Sequence, residues 1–336
     1  MISSKGELDL TNQIVLKRIS SQEQYKQEDT CFVIEIDHKQ EMMASGCGKQ
    51  IRLWSFKMGQ LSDILQLEGH QDLITCLLFS KMSRSLISAS QDCQLRLWKQ
   101  NINQTWSSSQ PFYEHLGSIN SIIMNYSEDI LFSGSSDQSI KVWAINIDLN
   151  EFKLLYQLRR HTKNIIGLTL APSESILASS GLDNQIIIWR KSSQGTYDFN
   201  YVIKQSVIES GCRLTLLNDN KLIWVSRSNE VLRFFEEKDG IFRENTDERL
   251  NLKCSPMCIE QFYFPIFYNQ NSKILALKNK FHFYIMKQQP EGYFLILHCI
   301  EFKSTSTFGT ITNDGRFIVY WNNISQQYEI YELRMQ

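Results

Sequence analysis

Proline and glycine are scarce, 5 and 15 residues in 336, which excludes a collagen-like chain and argues against extended disorder. An excess of charge of one sign is missing too. With 35 Lys and Arg against 36 Asp and Glu, no whole-molecule field draws the chain to phosphate polymers or acidic lipid, so nucleic acid is not an expected partner. Long hydrophobic runs are absent: the longest, 262–268 and 293–297, are far too short to cross a bilayer. Met1 to Glu7 runs straight into charged residues with no apolar export segment, so an intracellular, cytoplasmic chain without a transmembrane segment is expected. The eight cysteines (31, 47, 76, 93, 212, 254, 258 and 299) then imply reduced thiols rather than a disulfide framework. Cys254 and Cys258 form one C-x3-C, but no second Cys/His pair of matching spacing completes four tetrahedral ligands, so no metal is expected. Gly48-Lys49-Gln50 lacks the Ser/Thr and the spaced glycine of a phosphate loop, and no cofactor is expected either.

What the chain does have is apolar surface, 42% hydrophobic and 12% aromatic residues, and a repeat. Three segments superpose without gaps. His70, Ser88, Asp92 and Trp98 form the first set; His115, Ser133, Asp137 and Trp143 the second; His161, Ser179, Asp183 and Trp189 the third. In each, His to Ser is 18 residues, Ser to Asp 4 and Asp to Trp 6, and the tryptophans lie 45 and 46 apart. An upstream copy ends in Ile51-Arg52-Leu53-Trp54, with Gly48 where the Asp should stand. Downstream, Phe234 lies 45 after Trp189 with Ser228 in the Asp position, and paired-strand patterns recur over Ile274 to Ile285 and Phe317 to Tyr331. Trp54, Trp98, Trp143, Trp189, Phe234, Ile285 and Tyr331 thus mark the third strands of seven units, with Phe, Ile and Tyr taking the apolar slot of Trp. Period-2 runs dominate and no long 3.6-period stripe appears, so the chain reads as all-β.

These residues, with the Gly69-His70 opening and the Ser90-Gln91-Asp92 turn, closely resemble the WD40 (tryptophan-aspartate repeat) family. The resemblance implies one seven-bladed β-propeller over 1–336, with four-stranded antiparallel blades, clear repeats in 31–190 and divergent blades in 200–336. It also implies that residues 13–18 supply the outer strand of the last blade, closing the ring near Glu329 to Leu333 and covering two open edges. In the family, the four repeated positions form a buried hydrogen-bonded network. Burial explains why it must be complete, since each polar group away from water is costly without a partner.

Ser, His and Asp together also invite a hydrolase reading. One enzyme needs one such set, whereas three occur here at equal spacing, each followed by Trp, so a structural role is expected and no enzyme. Arg159-Arg160 resembles the paired arginines of phosphoinositide-binding propellers, but His161 follows where those have Gly. The expected function is a non-catalytic scaffold for other proteins within a multiprotein complex; alternatives are membrane-surface recruitment or an enzyme at the channel mouth. The family's contact positions carry over to Leu73, Thr75 and Gln91, then Ser118, Asn120 and Ser136, then Asn164, Ile166 and Leu182. Of these, Leu73, Ile166 and Leu182 are expected to form an exposed apolar cluster.

Overall fold

Short runs of alternating residues, interrupted by turns, make strands the regular elements of the described residues. The computed structural model describes residues 14–20, 25–227, 230–253 and 265–335. After β1 (Ile14–Ser20), blade 1 comprises β2 (Ile34–Ile36), β3 (Met42–Cys47), β4 (Gln50–Lys57) and β5 (Gln60–Leu67). Blade 2 comprises β6 (Ile74–Phe79), β7 (Ser85–Ser90), β8 (Leu95–Gln100) and β9 (Trp106–Ser108). Blade 3 follows with β10 (Ile119–Met124), β11 (Ile130–Ser135), β12 (Ser139–Asn146) and β13 (Glu151–Arg159). Blade 4 has β14 (Ile165–Leu170), β15 (Ile176–Gly181), β16 (Ile186–Lys191) and β17 (Tyr197–Val202). Blade 5 has β18 (Gly211–Asn218), β19 (Lys221–Ser226), β20 (Val231–Lys238) and β21 (Ile241–Asn251). Blade 6 has β22 (Phe267–Asn269), β23 (Ile274–Asn279), β24 (His282–Gln288) and β25 (Phe294–Glu301), and blade 7 has β26 (Thr307–Ile311), β27 (Phe317–Asn322) and β28 (Gln327–Met335).

The last blade has only three strands of its own, and β1 supplies the fourth. Its sheet runs β1-β28-β27-β26, with Leu16 opposite Leu333, Lys17 opposite Glu332 and Arg18 opposite Tyr331. Arg18 also pairs with Glu329 at 3.1 Å. The expected closure is therefore found over 14–20; Gln13 lies outside the described residues. The chain is a seven-bladed β-propeller of four-stranded antiparallel blades.

Because every sheet is apolar on both faces, each seam between neighbours is filled by its own cluster. Ala44 and Leu53 meet Leu86 and Trp98 between blades 1 and 2; Ile87 and Leu97 meet Leu131 and Trp143; Phe132 and Val142 meet Leu177 and Trp189. The series continues with Ala178 and Ile188 against Leu222 and Phe235, then Val225 and Phe234 against Leu275 and Met286, then Ala276 and Ile285 against Ile318 and Tyr320. Val319 and Trp321 of blade 7 close on Met43 and Trp54 of blade 1. Each fully buried side chain of this size contributes about 1.5–3 kcal/mol, so the seams hold the ring.

The seams also correct two positions. Trp98 pairs with Leu86 and faces the preceding blade; the residue so placed in blade 5 is Phe235, opposite Leu222, and in blade 6 Met286, opposite Leu275. Phe234 and Ile285 do lie on third strands, but one residue away from the slot, on the opposite face of their sheets. A shift of one residue reverses the face of a strand, and without a closing Trp two adjacent apolar residues fit the spacing equally well. Tyr331 does take the slot, opposite Ile318.

Candidate functional site

Each Asp of the three complete sets sits in the turn between second and third strands, where it caps the turn it stands in. Asp92 accepts from the Gln94 amide at 3.0 Å, Asp137 from Ser139 at 2.9 Å and Asp183 from Gln185 at 3.2 Å. The residue after each Asp, Cys93, Gln138 or Asn184, has φ between 64° and 70°, which completes the reversal. The same carboxylates reach the loop entering the inner strand: Asp92 accepts from the amide of Gln71, Asp137 from Leu116 and Asp183 from Thr162.

The four side chains of each set then join in series. His70 Nδ1 donates to Asp92 at 2.9 Å, Ser88 Oγ donates to His70 Nε2 at 2.7 Å, and Trp98 Nε1 donates to Ser88 Oγ at 2.8 Å. In blade 3 the distances are 2.7 Å for His115 to Asp137, 2.7 Å for Ser133 to His115 and 2.8 Å for Trp143 to Ser133. In blade 4 they are 2.9 Å for His161 to Asp183, 2.8 Å for Ser179 to His161 and 2.9 Å for Trp189 to Ser179. The tautomer follows from the partners, since a carboxylate can only accept. Burial alone would raise the Asp92, Asp137 and Asp183 carboxyls, but the adjacent imidazole and amide donors outweigh it and hold all three below the usual range. Ser88, Ser133 and Ser179 are wholly buried, each already accepting from an indole, so no substrate carbonyl can approach them.

Blade 1 has a variant of this chain that the repeat pattern missed. Trp54 Nε1 donates to Ser45 Oγ at 3.0 Å, and Gln27 stands where His would be: Ser45 Oγ lies 3.4 Å from Gln27 Oε1. Tyr328 of blade 7 donates to the same Oε1 at 2.5 Å, and Trp321 Nε1 donates to the Gln27 carbonyl at 3.0 Å, so Gln27 ties the ring's first and last blades together. The signal was present, as Gln27 and Ser45 are 18 residues apart. Gly48, with φ 56°, opens a two-residue turn, and Trp54 follows Ser45 by 9 residues where Trp98 follows Ser88 by 10, so this hairpin is one residue shorter than those that hold an Asp.

The proposed contact positions divide. Leu73, Gln91, Ser118, Ser136, Asn164 and Leu182 are half-buried on the face formed by the loops into the inner strands and the Asp-bearing turns. Ile166 is not exposed: it is 5% accessible and lines the central channel. Thr75 is buried and donates to the Ile119 carbonyl of the next blade at 2.5 Å; Asn120 likewise donates to the Ile165 carbonyl at 2.8 Å and to Ser136 Oγ at 3.1 Å. The positions five residues after each His thus point along the ring or into it, because the inner strands converge on the channel. Tyr113, Leu116 and Ile208, which the repeat did not single out, are exposed in the same set of loops, Leu116 and Ile208 at 86% each.

The channel holds a cavity of about 310 Å³ walled by inner-strand residues such as Ile122, Leu168 and Leu77. Glu35 and Arg213 lie in that wall, and burial pushes the Glu35 carboxyl up to about 8, partly offset by the charge of Lys81. Arg159 and Arg160 are both exposed, with the Arg160 guanidinium 4.7 Å from the Phe199 ring. On the opposite face, carboxylates spaced 46 and 45 apart bridge consecutive turns: Glu128 accepts from the Lys81 amide at 2.6 Å, Glu174 from Tyr126 at 2.6 Å and Asp219 from Ser173 at 3.2 Å. Among the described residues, no cluster of three His, Cys, Asp or Glu could hold a metal ion, and no helix is long and apolar enough to cross a membrane. Cys254, Cys258 and Ser228 lie outside the described residues.

The family model "WD domain, G-beta repeat" matches residues 61–99, 106–144 and 152–190, the stretches that build blades 2, 3 and 4. Protein ROOT INITIATION DEFECTIVE 3 of Arabidopsis thaliana is 28% identical over 52% of this chain and 40% of its own length. Striatin-4 of Mus musculus is 28% identical over 38% of this chain and 19% of its own, and anaphase-promoting complex subunit cdc20 of Dictyostelium discoideum is 27% identical over 46% and 30%. The chain thus spans less than half the length of these curated relatives. The chain carries three WD40 repeats, whose hydrogen-bonded sets assemble in successive blades 2, 3 and 4.

Proposed function

We propose that the chain is a non-catalytic protein-interaction scaffold that works as a subunit of a multiprotein complex and binds partners on the face carrying the inner-strand loops and the Asp-bearing turns. The observation that carries this reading is the composition of that face over blades 2 to 5. Exposed Leu116, Ile208 and Tyr113 and half-buried Leu73 and Leu182 lie among Gln91, Ser118, Ser136 and Asn164. Apolar anchors within a polar rim are the composition of an interface centre rather than of an idle surface. A rigid ring favours this use, because the loops are held in place before the partner arrives and little ordering entropy is lost on docking. The cdc20 relative, named as a subunit of the anaphase-promoting complex, supports the assembly part of the reading.

The test is affinity purification with quantitative mass spectrometry, comparing the wild type with Leu116→Ser/Leu182→Ser/Ile208→Ser. Loss of a discrete set of partners at an unchanged melting temperature supports the proposed face. An unchanged partner set removes it.

A further inference from the structure

The face opposite the proposed partner surface carries the turns that join first to second and third to fourth strands. Between blades 1 and 2 it opens into a pocket of about 170 Å³. Met42, Phe79 and Trp106 supply the apolar part of its wall, and a cavity of about 150 Å³ suffices for a benzene-sized group. Lys39, Lys81 and Arg84 also line it. Lys39 and Lys81 form no ion pair among the described residues, and Arg84 makes two exposed contacts, a pair with Glu41 at 3.1 Å and a hydrogen bond to Gln100 Oε1 at 3.3 Å, which exchange readily with solvent or another carboxylate. The one acid in the lining, Asp37, is occupied by the amides of Glu41 and Met42, both at 2.7 Å. The neighbouring turns present Met82 at 68% and Tyr126 at 76% exposure, with Lys81 Nζ 5.8 Å from the Tyr126 ring.

We propose that this pocket is a second docking site, which takes an acidic peptide segment of a partner protein. One apolar side chain of the segment enters between Met42, Phe79 and Trp106, and its flanking carboxylates meet Lys39, Lys81 and Arg84. Charge complementarity selects the occupant: three exposed cations ring a partly apolar recess, so an apolar group carrying anions fits where a neutral or basic one does not. A recess of this size suits one side chain better than it suits a flat array of lipid headgroups.

A random dodecapeptide library displayed on phage, selected against the full chain, tests this. Enriched peptides are then made with a fluorescein label and measured by anisotropy. The expected result is a shared apolar residue flanked by Asp or Glu, binding that weakens with salt, and a loss of about tenfold on Lys39→Glu/Lys81→Glu. Arg84→Glu and Met82→Ser, both on exposed side chains, provide the same test should the double variant fail to fold. No enrichment, enrichment of peptides without acids, or equal binding to well-folded rim variants overturns the proposal. Binding to phosphatidylserine vesicles that the rim variants abolish, with no peptide selected, also overturns it and assigns the pocket to a membrane surface.

Discussion

Blades 2 to 4 and blades 5 to 7 share strand number, strand order and the placing of the third-strand slot, yet they fill the middle of the second strand in opposite ways. In the first group Ser88, Ser133 and Ser179 stand at that point as small polar hubs, each linking an indole to an imidazole. In the second the corresponding residues are Trp224, Leu277 and Tyr320, all buried, with Tyr320 sending its hydroxyl to Glu329 at 2.8 Å. What a blade requires there is filled volume. The hydrogen-bonded set meets that need with small groups and also ties a turn to the loop beside it, while a large side chain meets it with its own bulk. The two solutions differ in how they fail. A set with one member removed leaves buried polar groups unsatisfied, whereas an apolar slot tolerates exchange at similar volume.

The comparison breaks most visibly where the ring closes, because blade 7 borrows its outer strand. Deleting residues 1–20 removes β1 and uncovers β28, and should cost on the order of 5 kcal/mol together with concentration-dependent association through the open edge. Calorimetry and light scattering read the two effects; a truncated chain that melts like the full one contradicts the closure. Next in size is Asp137→Ala, which strands the His115 imidazole and the amides of Leu116 and Ser139 at about 3 kcal/mol, with Asp92 and Asp183 behaving alike in denaturant unfolding. A melt like the wild type's combined with loss of one specific activity would instead give the sets a chemical role.

A paired exchange sharpens the contrast between the groups. Trp143→Leu should cost about 3 kcal/mol, since it opens a cavity and takes the indole donor from Ser133, whereas Met286→Leu should cost less than about 1.5 kcal/mol because blade 6 has no such set to break. Equal losses would show that packing alone decides both. The smallest effect is on acid stability. The three Asp carboxyls are held below their ordinary value of 3.8, so their contribution is complete above that pH and is lost as pH falls below it. Melting temperatures between pH 5 and pH 2 should therefore fall for the wild type and fall less steeply for Asp137→Asn, which starts lower. Parallel curves would remove Asp137 from the acid transition.

Much of this was legible in the residues. The 18, 4 and 6 spacings work as a ruler because each joins positions across hairpins of constant length, and the Asp caps a turn only two residues away. Gln27 was within reach of the same ruler, but an amide in place of the imidazole and a partner, Tyr328, from the far end of the chain concealed it. The carboxylates of Glu128, Glu174 and Asp219 were concealed differently: each serves the neighbouring blade, so their spacing repeats while their partners belong to another unit.

The sequence by itself determined the strand pattern, the number of units and the three hydrogen-bonded sets, since those depend on contacts within one blade. Only the tertiary structure decided which face Phe234, Phe235, Ile285 and Met286 present, for a period-2 strand reads equally well in either register until a neighbouring sheet buries one side. It likewise decided that Ile166 and Thr75 turn inward while Leu116 and Ile208 stand out. Accessibility there is set by how closely seven inner strands converge on one axis, a distance that no single repeat contains.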